Sequence, residues 1–279
     1  MKLRLYHHGD GARVAYREQG AGPGLVLWHS ALLSHRELTP LVEGLEHRFR
    51  VVLPDLPLHG DSEDRPRHPY TRDWLAEVVA GFCREVAGPA PLVGGHGLGA
   101  DILLRAIELE LVRPGRLVLM PTRLHRPEGG DAGWARWRAV ARAGAVPGLD
   151  RVLMRAAKSA MRPQLGVELS ARRVPAASDV VRHAFADVAG NANLARSWAL
   201  LARRWPAGAR RELLDLYPRL DAPTLLLWAD EDERHPLGVA EEALDLLPDA
   251  QLRIVTRTGY LMAYDDPVVV AREIAAFCR

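Results

Sequence analysis

The clearest chemical spacing in this chain is Gly94-Gly95-His96-Gly97-Leu98-Gly99-Ala100. It has the form of the G-x-S-x-G turn, in which small outer residues let a strained central serine rise to the top of a sheet as a nucleophile. Glycine stands at position 97, so the frame is kept and the hydroxyl is gone. The apolar Pro91-Leu92-Val93 before it reads as a buried strand, and Asp101 to Ile107 after it as an amphipathic helix. The same letters satisfy G-x-G-x-x-A, a dinucleotide fingerprint. That reading expects an acidic residue about 20 positions further on to hold a ribose. The next apolar run instead ends Leu119-Met120-Pro121-Thr122, and Glu108 and Glu110 come too early. Several strand-like runs also precede a turn that should open the first βαβ unit, so the dinucleotide reading is the weaker one.

The elements that must position this turn follow from apolar periodicity. Arg13 to Arg17 alternates as a hairpin strand, and Leu25-Val26-Leu27-Trp28, Val51-Val52-Leu53, Leu92-Val93, Leu117 to Met120, Thr224 to Trp228 and Leu252 to Val255 read as strands. Thr71 to Val86, Leu98 to Leu109, Val239 to Leu247 and Val268 to Phe277 carry helical apolar faces. Strand and helix in alternation predict a mainly parallel sheet with helices on both faces. In such sheets the loops at the carboxyl ends of the strands hold the site.

Between Thr122 and Arg219 the alternation stops and the spacing turns helical, broken at Pro147, Pro163, Pro175 and Pro206. This block reads as a helical cap inserted over the sheet edge. It holds 18 Lys and Arg against 8 Asp and Glu while the whole chain is only +2, so the remainder is net acidic. Solvated arginine-rich helix faces account for that excess, as does a lid that attracts an anionic substrate. Trp134, Trp137, Trp198 and Trp205 are candidates for an aromatic pocket under the cap, with helix packing as the simpler role.

A chain of 279 residues is long enough for one large α/β domain, or a core domain with a lid. Near-neutral charge gives no nucleic-acid or membrane footprint. The amino terminus lacks a signal-peptide core, and no segment approaches a membrane span, so a cytoplasmic protein is expected. The two cysteines, Cys83 and Cys278, have no metal-ligand spacing and suit buried free thiols in a reducing compartment. No metal and no cofactor are expected. Abundant Arg, Ala, Leu and Gly with little Lys matches a GC-rich bacterial genome.

Five segments in order resemble the α/β-hydrolase superfamily with an inserted cap. Trp28-His29-Ser30-Ala31 is similar to the oxyanion loop, and Asp55 to Ser62 to the D-x-x-G-x-G-x-S loop. Gly95 to Gly99 matches the elbow, and Trp228 to Asp232 the G-x-x-D acid site. Gly259-Tyr260 with Asp265-Asp266-Pro267 matches the segment that carries the catalytic histidine. The resemblance implies an α/β-hydrolase fold, with an eight-stranded, mainly parallel sheet flanked by helices, a core over 1–121 and 220–279, and a cap over 122–219.

Carried over residue by residue, the triad positions are Gly97, Asp232 and Tyr260. Two of the three lack the family's chemistry. Glycine has no nucleophile, and a phenol with an ordinary pKa of about 10 accepts protons poorly at neutral pH. Losing a nucleophile or base costs a serine hydrolase roughly 10⁶ in kcat. The oxyanion hole needs only backbone N–H groups, here those of Ala31 and Leu98. The resemblance therefore implies a non-hydrolytic enzyme: proton transfer, cyclisation, a lyase reaction or cofactor-free chemistry on a carbonyl-bearing small molecule, as in natural-product biosynthesis. His96, Tyr260 and Asp232 are the catalytic candidates. His29, Ser30, Ala31, Gly97 and Leu98 form the pocket, with His29 expected to orient its loop. Asp232 has no histidine in the family's place, so it is either left over or hydrogen-bonds Tyr260. Glycine at 97 is expected to free volume for a ligand or water. The rival readings are an inactive receptor or partner protein, and a hydrolase with a relocated nucleophile such as Ser30. The expected partner is a small molecule, anionic or aromatic, with no nucleic acid and no membrane; the oligomeric state stays open.

Overall fold

The computed structural model describes residues 1–126, 164–189, 191–206 and 209–279, together with Ala139. Eight strands, β1 (Lys2–His7), β2 (Arg13–Gln19), β3 (Gly24–Trp28), β4 (Arg50–Pro54), β5 (Leu92–Gly95), β6 (Arg116–Leu119), β7 (Thr224–Ala229) and β8 (Ala250–Val255), form one sheet. Their spatial order is β1-β2-β4-β3-β5-β6-β7-β8. β1 and β2 pair antiparallel, β2 meets β4 antiparallel, and the remaining neighbours are parallel. β1 did not read as a strand because it is an edge strand with little to bury: Leu3 and Leu5 are exposed and only Tyr6 faces the core.

Ten described helices are α1 (Val42–Leu45), α2 (Arg72–Ala87), α3 (Leu98–Glu108), α4 (Gln164–Glu168), α5 (Ala176–Ala189), α6 (Ala192–Arg204), α7 (Glu212–Leu216), α8 (Leu237–Leu244), α9 (Met262–Asp265) and α10 (Pro267–Phe277). Two of the long ones begin at side-chain caps. Thr71 caps α2 by accepting from the Trp74 amide at 3.1 Å, and Asp266 caps α10, whose first residue is proline. Helices α2, α3 and α8 bury one face of the sheet around Trp28, Trp228 and Phe82. Helices α1 and α10 cover the other around Leu25, Leu27, Leu227 and Ile274. Cys83 and Cys278 are buried free thiols in these layers, and burial pushes both up to about 12.

Parallel register brings the site together. Trp28 lies opposite Gly95, Gly95 opposite Leu119, and Ala229 opposite Val255. The loops after β3, β5, β7 and β8 therefore leave from one edge of the sheet. Between β6 and β7 the described residues form only helices and turns. No helix among the described residues is long and apolar enough to cross a membrane.

Candidate active site

The elbow is held in shape by its neighbours. Gly97 has φ +49 and ψ −114, a conformation costly to any residue with a side chain. Its N–H donates to the Pro121 carbonyl at 3.0 Å, while its carbonyl accepts from the Asp101 amide at 3.1 Å and the Thr122 hydroxyl at 3.1 Å. The His96 amide donates to Trp28 at 2.9 Å, and the Gly99 amide to His29 at 3.1 Å. Gly99 is glycine because a Cβ there would sit 2.7 Å from Trp28 and from the His29 carbonyl.

What stands above Gly97 differs from the expectation of free volume. A Cβ built there would overlap the Tyr260 hydroxyl and lie 2.9 Å from Ser30 Cβ. The Tyr260 hydroxyl thus fills the space into which a side chain at position 97 would project. Glycine at 97 is what makes room for it. Tyr260 is half-buried, with its hydroxyl at the buried end. Its ring packs against two imidazoles: His96, with centroids 4.3 Å apart, and His235, 5.1 Å away and stacked at 20°. Burial, then the charge of Glu37, push its phenol above the ordinary range. Tyr260 therefore stays protonated and acts as a hydrogen-bond donor.

Asp232 keeps a histidine, contrary to the expectation that it had lost one or turned to Tyr260. Its Oδ2 is 2.8 Å from Nδ1 of His235, and its Oδ1 accepts from the Arg234 amide at 3.0 Å. Burial would raise the Asp232 carboxyl, but His235 and the amide outweigh it and hold it below the usual range. Burial lowers His235 despite its carboxylate partner. The loop is fixed by Trp228 Nε1, which donates to the His235 carbonyl at 2.8 Å. His235 escaped the sequence reading because the family histidine was sought after β8. The signal was D-x-x-H within the acid loop itself.

A second carboxylate, also missed, lies under the loop after β3. Glu37 is 1% exposed and receives the Ser30 amide at 2.6 Å, the Ser30 hydroxyl at 2.8 Å and His96 Nδ1 at 2.6 Å. Burial would raise its carboxyl, yet His96 and the Ser30 amide hold it below the usual range. An ionised carboxylate only accepts, so His96 Nδ1 carries the proton of that bond. His96 Nε2 is buried without a hydrogen-bond partner. The trace in sequence was slight: one acid seven residues past Ser30, beside Leu38, Leu41 and Val42.

His29 is held by backbone groups on both ring nitrogens. The Leu56 amide donates to its Nε2 at 2.9 Å, so its Nδ1 donates to the Ser30 carbonyl at 2.7 Å. His59 is held alike, by the Leu32 amide at 3.0 Å and the Pro57 carbonyl at 2.9 Å. Burial pushes His29 down, and His59 down to about 3. The Ala31 and Leu98 amides donate to no acceptor among the described residues. Ala31 is exposed and Leu98 half-buried, so the site opens along them. No group of three or more potential metal-ligating side chains occurs among the described residues.

The inserted helices touch this edge. Asp265 accepts from the Gly259, Ala171 and Arg172 amides at 2.8, 3.0 and 3.1 Å and from the Ser170 hydroxyl at 2.5 Å, tying the Tyr260 loop to the segment after α4. Trp198 packs on His59, with rings 5.0 Å apart. Trp205 is half-buried against the core, and Trp134 and Trp137 lie outside the described residues. Part of the block's positive charge is neutralised at once. Arg210 pairs with Asp101, Glu108 and Glu212, Arg172 with Asp266, and Arg182 with Asp179.

Comparison with known proteins adds to this geometry. A profile of the Alpha/beta hydrolase family matches residues 24–273. The magnesium-chelatase 30 kDa subunit of Rhodobacter capsulatus is 27% identical over 233 residues, covering 83% of this chain and 78% of that protein. An uncharacterized hydrolase of Bacillus subtilis is 22% identical, covering 97% of this chain and 96% of its own length. Among solved structures, a thermophilic esterase from Thermogutta terrifontis superposes with a TM-score of 0.77 at 23% identity, covering 100% of this chain and 98% of the esterase.

Proposed function

The chain belongs to the alpha/beta hydrolase family, and from that premise we propose that it is a non-hydrolytic enzyme. It performs proton transfer, cyclisation, lyase or other cofactor-free chemistry on a carbonyl-bearing small molecule, of the kind met in natural-product biosynthesis. One observation carries this reading: the Tyr260 hydroxyl fills the space above Gly97 and its ring packs against two carboxylate-bound histidines. A covalent acyl route has no atom to form its bond at position 97. Acid–base chemistry is well supplied, and a positioned acid or base contributes typically about 10²–10⁴-fold. In this reading the Ala31 and Leu98 amides bind the substrate oxygen as charge develops there, a contribution of about 10²–10³ per donor. Tyr260 donates to the same oxygen, and His96 and the Asp232–His235 pair carry protons. The substrate is small and anionic or aromatic.

The test is a panel of carbonyl compounds and activated esters. Turnover of carbonyl compounds, lost in Tyr260→Phe, is the expected result. Ester turnover abolished by Ser30→Ala or His96→Gln would overturn it in favour of a relocated nucleophile. A Gly97→Ser, Tyr260→His double variant should gain esterase activity, because the serine then has both room and a base.

A second reading rests on the likeness to a magnesium-chelatase subunit over 83% of this chain. In it the protein is a catalytically silent partner of such a chelatase. Co-purification with a magnesium chelatase, and stimulation of it that survives Tyr260→Phe, would favour this reading over the first.

A further inference from the structure

We propose that the Glu37–His96 pair is the base of this site, with His96 Nε2 as the atom that takes the proton and an enolisable carbonyl compound as the substrate class. The inference rests on the enzymatic reading above and deepens it. Several groups near Gly97 can move a proton; hydrogen bonding sets His29 and His59 aside, and burial of its unpaired nitrogen separates His96 from His235, which also binds a carboxylate through Nδ1. His29 and His59 have both ring nitrogens engaged with backbone groups. Tyr260 is held protonated by burial and is a donor. His96 Nε2 is the one buried imidazole nitrogen among the described residues with no hydrogen-bond partner.

Leaving a buried polar atom unpaired costs about 1–3 kcal/mol, and His96 Nε2 keeps an unused acceptor that a ligand reaching it would satisfy. Glu37 decides the state of that atom. Its carboxylate accepts from Nδ1 at 2.6 Å, which places the proton on Nδ1 and the lone pair on Nε2. The same carboxylate, fixed by the Ser30 amide and hydroxyl, stands ready to balance an imidazolium. The arrangement reproduces the acid–histidine half of a triad from other residues: the carboxylate has moved to the loop after β3, and the imidazole to the elbow.

The step balances without a further reactant. A C–H bond α to the carbonyl breaks and its proton bonds to Nε2. The electron pair forms the enolate, whose oxygen lies at the Ala31 and Leu98 amides and the Tyr260 hydroxyl. Imidazolium and Glu37 carboxylate remain as an ion pair, and return of the proton, or reaction of the enolate carbon, completes the cycle. Glu37 acts here as a positioning residue and His96 as the catalytic one.

Nitrogen-15 NMR of His96 tests the base directly in the wild-type protein. The expected result at neutral pH is a protonated Nδ1 and a bare Nε2. In Glu37→Gln, whose amide can donate to Nδ1, the proton should move to Nε2. A proton on Nε2 in the wild type, or a tautomer indifferent to Glu37→Gln, overturns the assignment. A second arm follows deuterium incorporation into acetylacetone and a set of 2-oxo acids in D2O. His96→Gln and Glu37→Gln should slow it by about 10²-fold or more. Exchange that survives both variants refutes the base assignment and leaves the enzymatic reading standing. Absence of exchange with a bare Nε2 refutes the enolisable substrate class instead.

Discussion

Two pairs of histidines stand at the same sheet edge, and they differ in what they leave unsatisfied. His29 and His59, 4.9 Å apart, each receive a backbone N–H on Nε2 and meet a backbone carbonyl with Nδ1. Nothing is left over, and burial keeps both uncharged. His96 and His235 are instead bound to carboxylates through Nδ1 and turn their rings to Tyr260. The first pair braces loops. The second pair has charge partners and, in His96, a buried nitrogen with no partner. A histidine in a site is therefore told from a histidine of the scaffold by its remaining hydrogen-bond capacity, not by its burial or its distance from the elbow.

The sharpest way to break this comparison is to remove the charge partner. Glu37→Ala strips a buried carboxylate from His96 and Ser30, and loss of one member of a buried pair costs about 3–5 kcal/mol. Urea denaturation should show that loss, whereas Glu37→Gln, which retains shape and hydrogen bonds, should cost less. Next is the tyrosine that both imidazoles touch. Gly97→Ala places a methyl against the Tyr260 hydroxyl at positive φ, for a combined cost of about 2–4 kcal/mol. Combining it with Tyr260→Ala should recover the steric part and leave the backbone part, so a double-mutant cycle should report non-additivity of about 1 kcal/mol or more. Strict additivity would mean that the two residues do not compete for one space.

Acid titration sharpens the distinction with the smallest effect. His59 falls from 6.5 to about 3 in the folded protein, so the unfolded chain binds more protons between those values. Stability is complete above about pH 6.5 and declines as pH falls toward 3, by up to about 1.4 kcal/mol per pH unit for each such group. Glu37 and Asp232 are also lowered, from 4.5 and 3.8, and their contributions disappear only as pH falls below those values. His59→Gln should therefore flatten the stability curve between pH 6 and 4, relative to wild type, and leave the more acidic limb in place.

Much of the fold could be read along the chain, and much of the site could not. The elbow, the acid loop and helices α2, α3, α8 and α10 were legible because each is a local pattern: apolar periodicity, and glycines where a turn needs them. β1 was not, since an exposed edge strand carries little burial signal. Asp232 and Tyr260 were found as positions while their partners were misjudged. His235 is only three residues from Asp232, yet nothing local marks it as that carboxylate's partner. Glu37 and His96 lie 59 residues apart, and only the parallel alignment of β3 with β5 brings them to 2.6 Å.

By itself the sequence determined the succession of strands and helices and the absence of a nucleophile at 97, because backbone preferences and missing functional groups are properties of single residues. Only the tertiary structure decided that the place above Gly97 is taken by Tyr260, that Asp232 has a histidine, and that His96 has a carboxylate. Those are pairings between loops of different strands, and their geometry is set by the sheet that joins them.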